Sequence, residues 1–282
     1  MTRKDSKIVF CGLPCSGKTT FLGALSYLVE NNEDSSAMKL TGLNTQKHFF
    51  NNLADTWVSC DEMHRTNVNS KDSIEMSLSN GSIHFDIEMP DLSGESWASI
   101  WAEHEITHEL NEFISQCGSV ALFVHTEKIV TPMTISEENS MLRGRGLNED
   151  VVEETEEWDS TKHASTQSIS VDLLIKLSSM MDQGPKKVAI ILSAWDKVAA
   201  GTKPIDFIRV QLPLLFQYLS AKLDYNDFNV YGVSAQGGCL DEPEQKQRLI
   251  NIDEPTERIV VSEDGTNQYS DLTKILSWLV ND

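Results

Sequence analysis

Residues 12–19, Gly12-Leu13-Pro14-Cys15-Ser16-Gly17-Lys18-Thr19, have the Walker A spacing GxxxxGK[ST]. Glycines at the two ends of such a loop let main-chain N–H groups close around phosphate oxygens. A helix starting directly afterwards adds the partial positive charge of its N-terminus. On this chemistry Lys18 reaches the β- and γ-phosphates, and Thr19 places its hydroxyl on Mg²⁺. Gly12, Pro14, Cys15, Ser16, Gly17 and Thr20 complete the expected cradle. The flanks agree: the apolar run Ile8-Val9-Phe10 leads in, and Phe21, Leu22, Leu25, Leu28 and Val29 follow at helical spacing. The loop therefore joins a strand to a helix.

Three further segments stand at the ends of expected strands. Residues 73–90 form two strands around Ser79-Asn80-Gly81, Asn-Gly being a strong hairpin signal, and the second strand breaks at Pro90 into Asp91-Leu92-Ser93-Gly94-Glu95. The run Val188–Leu192 is followed by Ser193-Ala194-Trp195-Asp196-Lys197, and Phe228–Val233 by Ser234-Ala235-Gln236. In this order the four motifs resemble those of P-loop GTPases of the TRAFAC class with a Ras-like core. The Trp within Ser193–Lys197 resembles bacterial double-GTPase proteins of conflict operons.

That resemblance implies GTP and GDP as ligands and Mg²⁺ as cofactor. It makes Asp91 a water-mediated magnesium ligand and the Gly94 N–H a sensor of the γ-phosphate. Asp196 then pairs with the ring N–H and exocyclic amine of guanine, with Ser193, Trp195 and Lys197 beside it. Ser234, Ala235 and Gln236 form the loop whose main-chain N–H meets the guanine oxygen. The first-switch threonine, a ligand of magnesium and γ-phosphate, is assigned to Thr66, with Thr41 and Thr45 as alternatives. Arg65 directly before it is an in-cis finger or plain surface.

Some positions depart from the family's pattern. Ala194 replaces the lysine that packs over the base, and Ser193 replaces Asn or Thr, which lowers the expected guanine affinity and keeps ATP open. Glu95 stands where many relatives carry a water-orienting glutamine, so Lys18, Glu95 and Thr66 are the expected catalytic set and turnover should be slow. The expected function is a slow GTP-hydrolysing switch. It engages a protein partner through its switch regions, either a second GTPase subunit or an activating protein. Two rivals are a nucleotide-locked binding module of the same fold with negligible hydrolysis, and an ATP-using P-loop protein.

His104-Glu105-Ile106-Thr107-His108 matches HExxH, which on one helix places two histidines on a single face for zinc. No third ligand is identifiable. The segment follows the DxxG loop, where the resemblance places the second switch helix, so a partner-facing helix is the preferred reading. Trp97 and Trp101 are expected in the core, with a binding surface as the alternative.

The elements that must hold these loops alternate strand and helix. This predicts an α/β fold with a mainly parallel twisted sheet, one antiparallel edge strand, helices on both faces and nucleotide at the carboxyl ends of the strands. One domain over residues 1–282 is expected, with insertions at about 33–65 and 131–168. Phe49, Phe50, Leu53 and Trp57 predict a helix in the first insertion. The acidic run 149–159 in the second is expected to lack fixed structure, and Arg143 and Arg145 are its clustered bases. Pro213 should kink or restart the helix bearing Ile205 to Leu219, and Ser270 is a candidate cap for the last helix.

Composition bounds the partners. Asp and Glu number 43 against 23 Lys and Arg, a net charge of -20 that would repel a phosphate backbone, so nucleic acid is excluded as a general partner. The longest apolar runs are strand-sized, so no membrane span is expected. The basic start without an apolar leader, and five cysteines without a CxxC pair, make a cytoplasmic location the expectation. Cys11 and Cys15 are read as packing residues beside the loop.

Overall fold

The computed structural model describes residues 2–31, 37–43, 47–62, 73–79, 81, 83–90, 94–131, 140, 160–224 and 227–281. Among the described residues nine strands form one sheet: β1 Thr2–Cys11, β2 Lys39–Leu43, β3 Ser73–Ser79, β4 Ile83–Pro90, β5 Ser119–His125, β6 Lys187–Ser193, β7 Phe228–Ser234, β8 Val260–Ser262 and β9 Gln268–Tyr269. Their order is β2-β3-β4-β1-β5-β6-β7-β8-β9. The five central strands, β4 to β7, run parallel. The mainly parallel sheet expected from alternation is therefore present. Its antiparallel part is more extensive than one edge strand: β2 and β3 extend one side, and β8 and β9 the other.

The central strands are apolar on both faces because helices cover both. In β1, Ile8 and Phe10 point to one side and Val9 and Cys11 to the other. The first side carries α1 (Lys18–Asn31), α2 (Lys47–Val58) and the last helix, α10 (Thr273–Val280). There Phe10, Phe21 and Phe123 meet at ring separations of 5.3–5.9 Å and fasten α1 to β1 and β5. The second side carries α3 (Gly94–Glu103), α4 (His108–Ser115), α6 (Thr166–Met180), α7 (Pro204–Gln211) and α8 (Pro213–Lys222). The short α5 (Ser160–His163) and α9 (Pro243–Ile250) complete the described α-helices.

Several local expectations resolve here. The helix bearing Phe49 to Trp57 is α2, and α7 ends at Gln211 and a separate helix, α8, starts at Pro213. The hairpin of residues 73–90 is β3–β4. Ser270 does not cap α10: the Asp271 carboxylate accepts the Thr273 N–H and hydroxyl, and its second oxygen accepts the Ala37 N–H. The N-cap position of α10 is Leu272, which makes no side-chain cap, and the Asp271 carboxylate just before it satisfies three donors at once. Thr45, Arg65, Thr66, Asp91, Arg143, Arg145 and the acidic run 149–159 lie outside the described residues. No helix among the described residues is long and apolar enough to cross a membrane.

Candidate functional site

The turns at the carboxyl ends of β1, β6 and β7, together with the start of α3 beyond β4, lie at one end of the parallel strands. That is where open α/β sheets bind ligands. The turn after β1 is residues 12–17, and α1 starts at Lys18. Gly17 has φ +93°, and a Cβ there would lie 2.7 Å from the Ser193 Cβ, so both backbone conformation and space require glycine. Gly12 is equally enclosed, by the Ser16 hydroxyl and the Phe123 carbonyl.

Lys18 arches back over this loop. Its ammonium donates to the Gly12 carbonyl (2.6 Å), the Leu13 carbonyl (3.2 Å) and the Ser16 Oγ (3.1 Å). The charge is thereby held across the loop mouth beside the N-terminus of α1, an arrangement suited to an anion. Pro14, Thr19 and Thr20 are half-buried around it, while Ser16 is buried. The two cysteines part company. Cys11 is a packing residue with no exposure, and burial pushes its thiol up to about 12, whereas Cys15 is exposed on the loop.

The turns after β6 and β7 are joined directly. Ser234 Oγ donates to Asp196 Oδ1 at 2.6 Å and accepts the Gly237 N–H at 3.1 Å. The exposed Asp196 carboxylate thus has one oxygen fixed and the other available to a ring N–H or exocyclic amine. Ala194 sits in the left-handed region at φ 55° and ψ 42°, a conformation costing roughly 1 kcal/mol for a residue with a Cβ. The Thr126 hydroxyl supports it, lying 2.9 Å from the Ser193 carbonyl and 3.1 Å from that of Ala194.

The Trp195 side chain turns inward from this end of the sheet. Its ring is buried in the core against Phe207, 5.6 Å between centroids, and lies on Gly232 of β7. The Gln236 side chain also turns inward, its Nε2 donating to Cys60 Sγ at 3.3 Å. Both side chains expected beside a nucleotide are thus turned into the protein. Lys197 is exposed and Ser193 buried, with the Ser193 hydroxyl unpartnered among the described residues. The Ser193 side chain packs directly on the phosphate loop, since a Cβ on Gly17 would lie 2.7 Å from the Ser193 Cβ and 2.9 Å from its Oγ.

Gly94, the first residue of α3, packs on the phosphate loop: a Cβ there would lie 2.3 Å from Pro14 Cα. Glu95 follows in the first turn of α3, half-buried. The helix is tied to the sheet by the Trp97 indole, which donates to the Phe10 carbonyl at the end of β1, 3.1 Å away. The segments that the sequence assigned separately to phosphate, base and γ-phosphate sensing thus surround one end of the sheet. The Double-GTPase 1 family model matches residues 9–279, from β1 into α10.

The chain belongs to the Double-GTPase 1 family.

Solved structures with likeness to this family member include the Arl6 BBS3 small GTPase from Trypanosoma brucei with a bound nucleotide analogue. It is 11% identical with a TM-score of 0.35, over 88% of this chain and 98% of that one. A bacterial selenocysteine-specific elongation factor, EF-Sec, is 12% identical with a TM-score of 0.37, over 86% of this chain and 28% of its own. Sup35 complexed with GMPPNP is 11% identical with a TM-score of 0.39, over 84% and 39%. The Double-GTPase 1 chain therefore spans well under half of these two longer proteins. No curated protein matches it by sequence.

Of the oxygen ligands expected for Mg²⁺, Thr19 lies in the first turn of α1, half-buried beside Lys18, and Asp91 and Thr66 fall outside the described residues. Hydroxyl and carboxylate oxygens form a hard donor set that fits Mg²⁺. Thr41, the alternative first-switch threonine, lies on β2, where its hydroxyl donates to the Ser77 carbonyl at 3.1 Å.

The HExxH segment is not one helix in this Double-GTPase 1 member. α3 ends at Glu103, His104 has φ 57°, and α4 begins at His108 with Thr107 as its cap. The two histidines therefore share no helical face, and no group of three or more metal-binding side chains occurs among the described residues. His104 Nδ1 instead lies 2.7 Å from Lys176 Nζ, which also donates to the Ile100 and Trp101 carbonyls. Trp97 is core, as expected, and Trp101 is half-buried against the same cluster.

Sequence reasoning did not identify Thr126, Cys60 or Arg258 as supports of this end of the sheet. Thr126 and Arg258 bond main-chain carbonyls and Cys60 the Gln236 amide, all far along the chain, and no local pattern announces such a partner.

Proposed function

We propose that this protein binds guanine nucleotides and hydrolyses GTP slowly, coupling its nucleotide state to a protein partner. The observation carrying the reading is the Ser234–Asp196 hydrogen bond. It presents one carboxylate edge at the same end of the sheet as the Lys18 ammonium. A carboxylate held there accepts from guanine's N–H groups and faces adenine's lone pair unfavourably.

Phosphate is held by the main chain of residues 12–17, by Lys18 and by the first turn of α1. Thr19, Asp91 and Thr66 would hold Mg²⁺, which supplies charge neutralisation on the phosphate oxygens. Glu95 orients the attacking water. In hydrolysis the water oxygen bonds to the γ-phosphorus, the bond from that phosphorus to the β–γ bridging oxygen breaks, and GDP and phosphate result. Lys18 offsets the charge that grows on the bridging oxygen. A carboxylate near the γ-phosphate adds like charge, which is why slow turnover is expected.

The partner we infer is a second GTPase subunit or an activating protein, met through the segment around Thr66 and the start of α3. The family's description as a double GTPase supports the first. We further take residues 1–282 as one cytoplasmic GTPase domain with insertions at about 33–65 and 131–168.

Calorimetry with GTP, GDP and ATP in the presence of Mg²⁺, with bound GTP followed over hours by chromatography, tests the proposal. Guanine selectivity with slow appearance of GDP supports it. Guanine binding without GDP formation replaces it with a nucleotide-locked module, and equal affinity for ATP refutes the base reading. Lys18→Ala should abolish binding, and an unchanged affinity in that variant would remove the phosphate assignment.

A further inference from the structure

The base-side loop, residues 234–237, is held from a direction that the GTPase motifs do not account for. The Trp57 indole, at the end of α2 and fully buried, donates to the Ala235 carbonyl at 3.0 Å. One residue on, the Gln236 side chain donates to Cys60 Sγ just beyond the same helix. The partners are separated by 178 and 176 residues in sequence. α2 belongs to the insertion between α1 and β3, so a segment outside the parallel sheet grips the loop that reads the base.

The grip is itself anchored. Arg258, 3% exposed, donates through Nη1 to the Val58 carbonyl (3.0 Å), the Trp57 carbonyl (3.4 Å) and Cys60 Sγ (3.1 Å). Its guanidinium also lies 5.4 Å from the centre of the Trp57 ring. Carbonyls in the last turn of a helix lack acceptor-side partners within it, and a cation there also complements the helix dipole. The Arg258 main chain meanwhile presses on Gly237, where a Cβ would come within 2.6 Å of the Arg258 carbonyl oxygen. One buried arginine therefore fixes both the end of α2 and the far end of the base-side loop.

Resting on the guanine reading above, we infer that Trp57 and Arg258 are positioning residues for base recognition: the indole orients the Ala235–Gln236 peptide and Arg258 holds the indole. A peptide unit is planar, so fixing the Ala235 carbonyl also fixes the direction of the Gln236 N–H and restrains the Ala235 main chain that meets the guanine oxygen. The phosphate half of the site has no part in this contact. Loss of the grip should weaken guanine binding and leave phosphate binding in place.

Trp57→Phe keeps most of the buried ring and removes the donor. Calorimetry on the full chain with GDP, ADP and inorganic tripolyphosphate then reads base and phosphate separately. GDP affinity is expected to fall about fivefold, the effect of one buried hydrogen bond, with tripolyphosphate affinity within about twofold of the parent. Arg258→Lys keeps a cation near the ring but gives up the fork on Trp57 and Val58. It should shift the same ratio in the same direction and serves if Trp57→Phe does not fold. Equal losses for GDP and tripolyphosphate would mean a merely structural role and overturn the inference. So would unchanged GDP affinity in a guanine-selective parent, which overturns this inference alone. A parent that does not prefer GDP to ADP overturns the guanine reading, and this inference with it.

Discussion

The indole of Trp195 lies flat on Gly232, so close that a Cβ at residue 232 would fall 2.2 Å from a ring carbon. The tryptophan next to Asp196 is thus a peg that locks the turn after β6 onto the neighbouring strand β7. Gly232→Ala must expel the ring, and overpacking of this kind costs about 1–3 kcal/mol, measurable by urea denaturation. Trp195→Leu combined with Gly232→Ala should lose less than the sum of the two single losses. Additive losses would show that ring and glycine do not share the space.

Asp196→Asn should shift preference from guanine toward xanthine, because the amide offers a donor where guanine presents one. Ser234→Ala removes the bond that orients the carboxylate and should weaken GDP about five- to tenfold without that switch. Competition titrations with GDP and XDP separate the two effects. An unchanged base preference in Asp196→Asn would mean that residue 196 does not read the base.

Gly94→Ala puts a methyl group into the backbone of Pro14 and Leu13, neither of which is a flexible side-chain end. The start of α3 must back away from the phosphate loop. The variant should lose about 1–3 kcal/mol of stability and, on the switch reading, bind GTP less tightly relative to GDP. Denaturant melts with parallel GTP and GDP titrations check both, and parent-like values throughout would refute the packing.

Cysteine reactivity offers a test without mutation. Burial pushes the Cys11 thiol up to about 12, so little thiolate forms, whereas Cys15 stands exposed on the phosphate loop. Iodoacetamide followed by peptide mass spectrometry should label Cys15 and spare Cys11. Added GDP should slow labelling of Cys15, and a rate indifferent to nucleotide would contradict the phosphate assignment.

His125 predicts a pH effect at the end of β5. Burial, with Lys128 as the second cause, holds its imidazole below the ordinary value of 6.5, while Glu127 and Asp196 partly oppose this. Its Nδ1 accepts the Glu127 N–H, which a protonated ring cannot do. The unfolded chain therefore takes up this proton at higher pH than the folded one. The contribution is fully present above about pH 6.5 and is lost as pH falls through the lower folded value. Urea melts of the parent should weaken between about pH 7 and about pH 5 more steeply than those of His125→Asn. Parallel curves would remove the assignment.

How much of this was legible in the chain follows from range. The phosphate loop, the strands after which the other motifs stand, the inserted helix α2 and the restart at Pro213 are written in neighbouring residues. Glycine spacing, period-two or helical apolar patterns and proline geometry act over a few positions, so order in sequence suffices to find them. The break between α3 and α4 was not legible. Nothing local distinguishes HExxH on one helix from the same residues across a left-handed turn, which here is set by Lys176 on α6 reaching the carbonyls of α3.

The directions of Trp195 and Gln236 were decided by partners far along the chain. Gly232 leaves a bare strand face for the indole, and Cys60 draws the amide inward. The short strands β8 and β9 likewise exist only because β7 presents an edge to pair with. Sequence alone therefore determined which residue types stand at the end of the sheet and in what order, since that chemistry is carried by contiguous motifs. Tertiary structure alone decided which of their side chains face outward and what holds them, because hydrogen bonds such as Trp57 to Ala235 join positions with no shared local pattern.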